Sequence, residues 1–183
     1  ADGAKALIDE LHSALDPKAY RKAVALLAES EFIDIFGVEN SLTPAMDLFT
    51  KLGYLGLTCR LNTDAYLQQI GAGHLPHGAV AVAFSHSGSS ADTVKALRLA
   101  KSHGAKTIAI TNAIGAPLAS WADVTLLTGR DSHTIYGNAI FSRVADTALV
   151  DMLYMGVILS DYGRFSTALD ESGRMIRDRV FEN

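Results

Sequence analysis

The sequence predicts an α/β fold: a doubly wound, three-layer sandwich around a mainly parallel sheet. Two observations carry that prediction. Strand-like and helix-like segments alternate along the chain. Several strand-like runs, AVAVAF (79–84) above all, are apolar throughout and not only at every second residue, which marks strands covered on both faces.

The elements follow in order. Residues 4–15 place Ala6, Leu7, Leu11, Ala14 and Leu15 at helical spacing. Asp16-Pro17 breaks that helix, and Pro17 suits the first turn of a second one over 18–29, through Val24, Leu26 and Leu27. EFIDIFGV (31–38) reads as a buried strand ending at Gly37. Residues 44–53 read as helix, LTCRLN (57–62) as strand, and TDAYLQQIGAG (63–73) as helix capped by Thr63. After AVAVAF, ADTVKALRLAKSHG (91–104) forms a helix with Val94, Leu97 and Ala100 on one face and Gly104 as its stop. KTIAIT (106–111) and VTLLT (124–128) are further strands, flanking a short turn or helix at APLASWA (116–122). A long apolar helix over 138–160 and an amphipathic one over 165–180 complete the chain.

Length and composition bound the function. A chain of 183 residues suits one domain with a small appendage. With 49% hydrophobic and 20% charged residues it has ample material for a core, which argues against disorder. A net charge of -4 with scattered cations argues against a nucleic-acid surface. Cys59 has no internal partner and reads as a buried, inert thiol; without a signal peptide or disulfide framework the expected compartment is the cytoplasm. VADTALVDMLYMGVIL (144–159) is interrupted by Asp146 and Asp151 and is short for a membrane span, so it reads as a core or oligomer-interface helix. The chain opens not on Met but on ADGAKALIDELHSALDPKAY, already in helical rhythm, which is read as a linker left behind by a preceding segment.

Ligands of such sheets sit beyond the carboxyl ends of the strands. Two loops there stand out: GVENSLTP (37–44) and SHSGSSAD (85–92). In the second, Ser85, Ser87, Ser89 and Ser90 surround Gly88 just ahead of a helix. Hydroxyls, a close-approaching backbone and free helix amides together make an anion site. Neither G-x-x-x-x-G-K-[ST] nor G-x-G-x-x-G occurs there, so the implied anion is a terminal phosphate monoester held without a metal or other cofactor. The first loop adds Asn40 and Ser41. The plain alternative is that these serines only make turns and cap helices.

S85-H-S-G-S-S-A-D92 resembles the S-x-S-G-x-T-x-[ED] signature of the sugar isomerase (SIS) domain, with Ser90 in the usual Thr place and Asp92 in the acidic one. FGVENS (36–41) looks like that family's first loop, and AKTIAITNAIGAPLASWADVTLLT (105–128) is similar to its T-N…PLA…AD continuation. The resemblance spans about residues 18–160. It implies a flavodoxin-like SIS fold in which Ser41, Ser85, Ser87, Gly88, Ser89 and Ser90 hold the phosphate. DPKAYRKAVALLAES, the SHSG form of the loop and SRVADTALVDMLY (142–154) are most similar to the C-terminal effector domain of RpiR-type bacterial regulators. That implies a helical lead-in (1–30), a phosphosugar-binding domain (31–165), a C-terminal helix (166–183) and a homodimer or homotetramer. DNA would be met only through an absent N-terminal helix-turn-helix domain.

Glu39, Asn40, His86, Arg130 and His133 are candidates for the sugar itself. Glu39, His86 and His133 are also the candidate bases of an aldose–ketose isomerase, the alternative function; each has an ordinary structural use as well. Some SIS isomerases carry M-G-T-x-F-E at a late helix start. The matching stretch here, Y136-G-N-A-I-F-S142, has Ser142 where they have Glu, which favours binding without turnover. A purely structural oligomerisation domain is a third alternative. His74 and His77, either side of Pro76 in H-L-P-H, read as a polar turn and not a metal site. Trp121 reads as core, and Arg130-Asp131 reach the ligand end of the sheet.

Overall fold

The computed structural model describes residues 2–130 and 143–177. Two helices, α1 (Asp2–Ala14) and α2 (Pro17–Glu29), lead into β1 (Ile33–Phe36). A 3₁₀ turn (Glu39–Ser41), α3 (Leu42–Tyr54), β2 (Cys59–Leu61), α4 (Ala65–Ala72), β3 (Val80–Phe84) and α5 (Ala91–Ser102) follow. Next come β4 (Lys106–Thr111), a 3₁₀ turn (Pro117–Trp121), β5 (Val124–Leu127), α6 (Val144–Ser160) and α7 (Tyr162–Met175). The sheet is parallel throughout, in the order β2-β1-β3-β4-β5. Strand order therefore reverses between β1 and β3, the place where such sheets open a crevice for ligands.

The apolar strands split by size between two faces. In β3, Val80, Val82 and Phe84 join Ile33, Ile35, Ile108 and Ile110 in one cluster under α2, α3 and α6. Ala81 and Ala83 join Ala109, Ala96 and Ala100 in a second, alanine-rich cluster under α4 and α5. Methyl side chains on both surfaces let α4 and α5 lie close to the sheet. Leu11, Leu27 and Phe165 extend the larger cluster into α1, α2 and α7.

Local chemistry sets the element ends. Asp16 accepts from the Lys18 amide and starts α2 with Pro17 in its first turn. The α4 cap is Asp64, which accepts from Leu67 N, and not Thr63; the carboxylate reaches the helix amide one residue later than expected. The last helix starts at Tyr162 rather than 165, because Asp161 accepts from the Arg164 amide and caps it. Of the helix expected over 138–160, residues 138–142 lie outside the described residues, and the helix begins at Val144 with Arg143 as its N-cap. Trp121 is not core: it is 37% exposed, with the Arg98 guanidinium 5.9 Å from its ring centroid. Cys59 is partly buried, and burial pushes its thiol up to about 12, so it stays protonated. No helix among the described residues is long and apolar enough to cross a membrane.

Candidate functional site

At the β1/β3 crossover the two loops singled out by sequence face one another across a cleft of about 350 Å³. It is lined by Val38, Glu39, Asn40 and Ser41 after β1, by Ser85, His86, Ser87, Ser90 and Asp92 after β3, and by Arg143 at the start of α6. A larger groove of about 600 Å³ runs between α2, α6 and α7, but no strand-end loop contributes to it.

The hydroxyls of the cleft are left for a ligand. Ser41 and Ser85 are only 8% and 4% exposed, yet among the described residues neither side-chain hydroxyl makes a hydrogen bond. Ser41 occupies the N-cap position of α3 without capping it. Neither oxygen is sealed from solvent, so both hydroxyls open into the cleft, where water satisfies them and a ligand can replace that water. Ser87 Oγ accepts from Ser89 N at 3.3 Å and Ser90 Oγ accepts from Thr93 Oγ1 at 3.2 Å, which leaves both protons to donate. Ser90 is the N-cap of α5 but its side chain caps nothing, so the first amides of that helix remain open. Four hydroxyls and a bare helix N-terminus can together hold a tetrahedral oxyanion.

Gly88 shapes the loop and does not line the cleft. Its φ is +62°, and a Cβ there would lie 2.3 Å from Ala116 Cβ and 2.9 Å from Thr111 Oγ1. Its amide donates to Ser85 O at 2.9 Å, so that amide is not offered to a ligand. Its carbonyl accepts from Leu118 N, while the His86 carbonyl accepts from Asn112 N and Thr111 Oγ1. The T-N…PLA stretch is thus the seat of the serine loop. The opposite loop is tied by Gln68, whose amide oxygen accepts from Gly37 N and whose amide nitrogen donates to Gly37 O and Asn62 O. Held there, Glu39 takes a left-handed φ of +51°, a strained conformation for a residue with a side chain.

Below Arg143 lies Asp146, 6% exposed, with 3.8 Å between Arg143 Nε and its carboxylate. Burial raises the Asp146 carboxyl above its ordinary value; the Thr128 hydroxyl, His86 and Arg143 each pull it back. The strand-end segments after β3 and β5 and the start of α6 therefore meet at one buried carboxylate.

Among the other residues expected at the site, Ser89 is exposed and turns its hydroxyl to Ser87 O, away from the cleft lining. Arg130 is corrected as well: its amide donates to Glu10 and its guanidinium to Ser13 O at 3.3 Å, so it closes the end of α1. His133, with Asp131 and Ser142, lies outside the described residues. Sequence reasoning did not single out Arg143, or give Asp92 any place beyond the signature. Asp92 lines the cleft and accepts from Gln69 Nε2 at 3.1 Å. The spacing R143-V-A-D146 at a helix start was the available signal for the ion pair.

Comparison with known proteins places this architecture. An uncharacterized HTH-type transcriptional regulator of Caldanaerobacter subterraneus subsp. tengcongensis is 30% identical over 179 residues, covering 98% of this chain and 64% of that protein. The HTH-type transcriptional regulator HexR of Escherichia coli is 28% identical over 181 residues, 99% of this chain and 62% of the relative. The chain thus spans under two thirds of the length of these relatives. The structure of the Vibrio vulnificus NanR protein complexed with ManNAc-6P superposes with a TM-score of 0.92 at 24% identity, over 99% of this chain and 68% of the other. The SIS domain model matches residues 26–156, which include both loops of the cleft and every strand of the sheet, and the chain belongs to the SIS domain family.

Proposed function

We propose that this chain is the sugar-phosphate-sensing module of a bacterial transcription regulator of the RpiR type. The observation that carries the proposal is the pair of cleft-facing hydroxyls, Ser41 and Ser85, which bond to nothing among the described residues and stand on opposite loops of one cleft that also opens onto the N-terminus of α5. A terminal phosphate matches that donor set in charge and size, and needs no metal to be held there. Support comes from relatives that are HTH-type regulators and from a superposable NanR that was solved with ManNAc-6P.

Residues 1–30 serve as the lead-in from a DNA-reading domain, 31–165 as the ligand module and 166–183 as a closing helix. The module acts as a homodimer or homotetramer in the cytoplasm. Glu39, Asn40 and His86, which line the same cleft, contact the sugar. Calorimetric titration with a panel of hexose and N-acetylhexosamine 6-phosphates tests the proposal: one or more binds at a single site per chain and raises thermal stability. At ten times its dissociation constant such a ligand stabilises by about 1.4 kcal/mol. A flat response across the panel refutes the proposal. Conversion of an aldose phosphate to its ketose by the purified chain favours the isomerase, for which Glu39 and His86 are the available bases.

A further inference from the structure

The cleft carries a charge pattern that the phosphate does not explain. Glu39 and Asp92 line it from opposite loops, and Asp92 is held in place by Gln69. Among the described residues the guanidinium lining it is that of Arg143, which pairs with the buried Asp146 beneath. Drawing that guanidinium onto a ligand would strip a buried carboxylate of its compensating charge, which is costly. Once the serine hydroxyls and α5 amides hold the phosphate, the remaining lining repels a second anion and accepts hydroxyl or ammonium groups.

We infer that Glu39 and Asp92 make the cleft selective for phosphomonoesters whose sugar portion is neutral or cationic, against phosphorylated sugar acids. The inference rests on the phosphosugar reading and specifies its ligand class. Both carboxylates can accept hydrogen bonds from sugar hydroxyls, which orients a polyol as well as excluding a carboxylate.

Matched pairs test it, each differing only in CH₂OH against COO⁻: D-glucitol 6-phosphate against 6-phospho-D-gluconate, D-mannitol 6-phosphate against 6-phospho-D-mannonate, and sn-glycerol 1-phosphate against 3-phospho-D-glycerate. Inorganic phosphate is the control. In calorimetry the neutral member of a pair binds about tenfold or more tightly than the acid. The isosteric pair E39Q and D92N, singly and together, narrows that ratio by strengthening the acid. Both positions are exposed, so the variants fold. Equal or tighter binding of the acids, or a ratio unmoved by both substitutions, overturns the inference while leaving the phosphate site standing. If no pair member and no phosphate binds, the phosphosugar reading fails and the inference with it.

Discussion

The side chain of Gln68 closes a two-bond ring on the backbone of Gly37: Gly37 N donates to its amide oxygen at 3.2 Å, and its amide nitrogen donates to Gly37 O at 2.7 Å. Gln68 is buried, on α4, and Gly37 follows β1, so the ring fixes where the Glu39–Ser41 turn leaves the sheet. Q68L removes both bonds and leaves a buried amide and carbonyl unsatisfied. Denaturant unfolding is expected to show a loss of about 1–3 kcal/mol, with weaker phosphosugar binding in calorimetry. A variant as stable as the wild type that keeps its affinity contradicts this role.

How far the sequence revealed this site depends on the range of each interaction. The serine loop was legible because its determinants are local: a buried strand, a glycine, hydroxyls and a helix start fall within residues 79–92. The parallel sheet was legible because AVAVAF is apolar on both faces. Gln68, however, reads in sequence as an ordinary polar residue of α4, and only the β1–α4 packing brings it to Gly37. Arg143 and Asp146 looked like a charge and an interruption in an apolar helix, because nothing local says that β3 and β5 end beside them. Arg130 was misplaced for the opposite reason: position at a strand end suggested the ligand, while packing of α1 gave it Glu10 and Ser13.

Gly88 cannot tolerate a side chain. G88A sets a Cβ against Ala116 and Thr111 and imposes a left-handed φ on alanine. The loop must move, and phosphomonoester affinity is expected to fall at least about tenfold, or ~1.4 kcal/mol, with circular dichroism still native. The double variant G88A/A116G recovers only part of the loss, since Thr111 Oγ1 and the φ remain. Unchanged affinity in G88A shows that the loop geometry is not needed.

Arg60 grips Asp34 with two bonds, Nε to Oδ1 at 3.0 Å and Nη2 to Oδ2 at 2.7 Å, in a slot where Gly71 leaves room for the guanidinium. Asp34 is 1% exposed, and burial raises its carboxyl although Arg60 opposes the rise. R60A strands that carboxylate, and a loss of about 3–5 kcal/mol is expected; the apolar double variant D34L/R60M loses less. A double variant less stable than R60A contradicts this.

Asp123, the acid of the A-D motif, ties β5 to β4: it accepts from Thr107 N at 2.9 Å and Thr107 Oγ1 at 3.1 Å, and pairs with Lys101. Burial alone would raise its carboxyl, but the Lys101, Thr107 amide and Thr107 hydroxyl bonds together hold it below the ordinary value. A depressed folded pKa contributes stability that is present above the unfolded carboxylate value and lost as pH falls through the folded one. D123N is therefore expected to be less stable than the wild type at pH 7, with the gap shrinking below about pH 4. Melting curves at pH 7 and pH 3 check the sign, and a gap that widens in acid refutes it.

The decisive experiment is paired melting and calorimetry on S41A/S85A, because it separates a ligand site from a structural one. Both hydroxyls open into the cleft and bond to nothing among the described residues, so removing them should leave the free protein as stable as before, within about 1 kcal/mol. The same variant should lose most of the stabilisation that a hexose 6-phosphate confers on the wild type. A free protein that is clearly destabilised, with its phosphosugar response intact, would mean that these serines hold the fold and not a ligand.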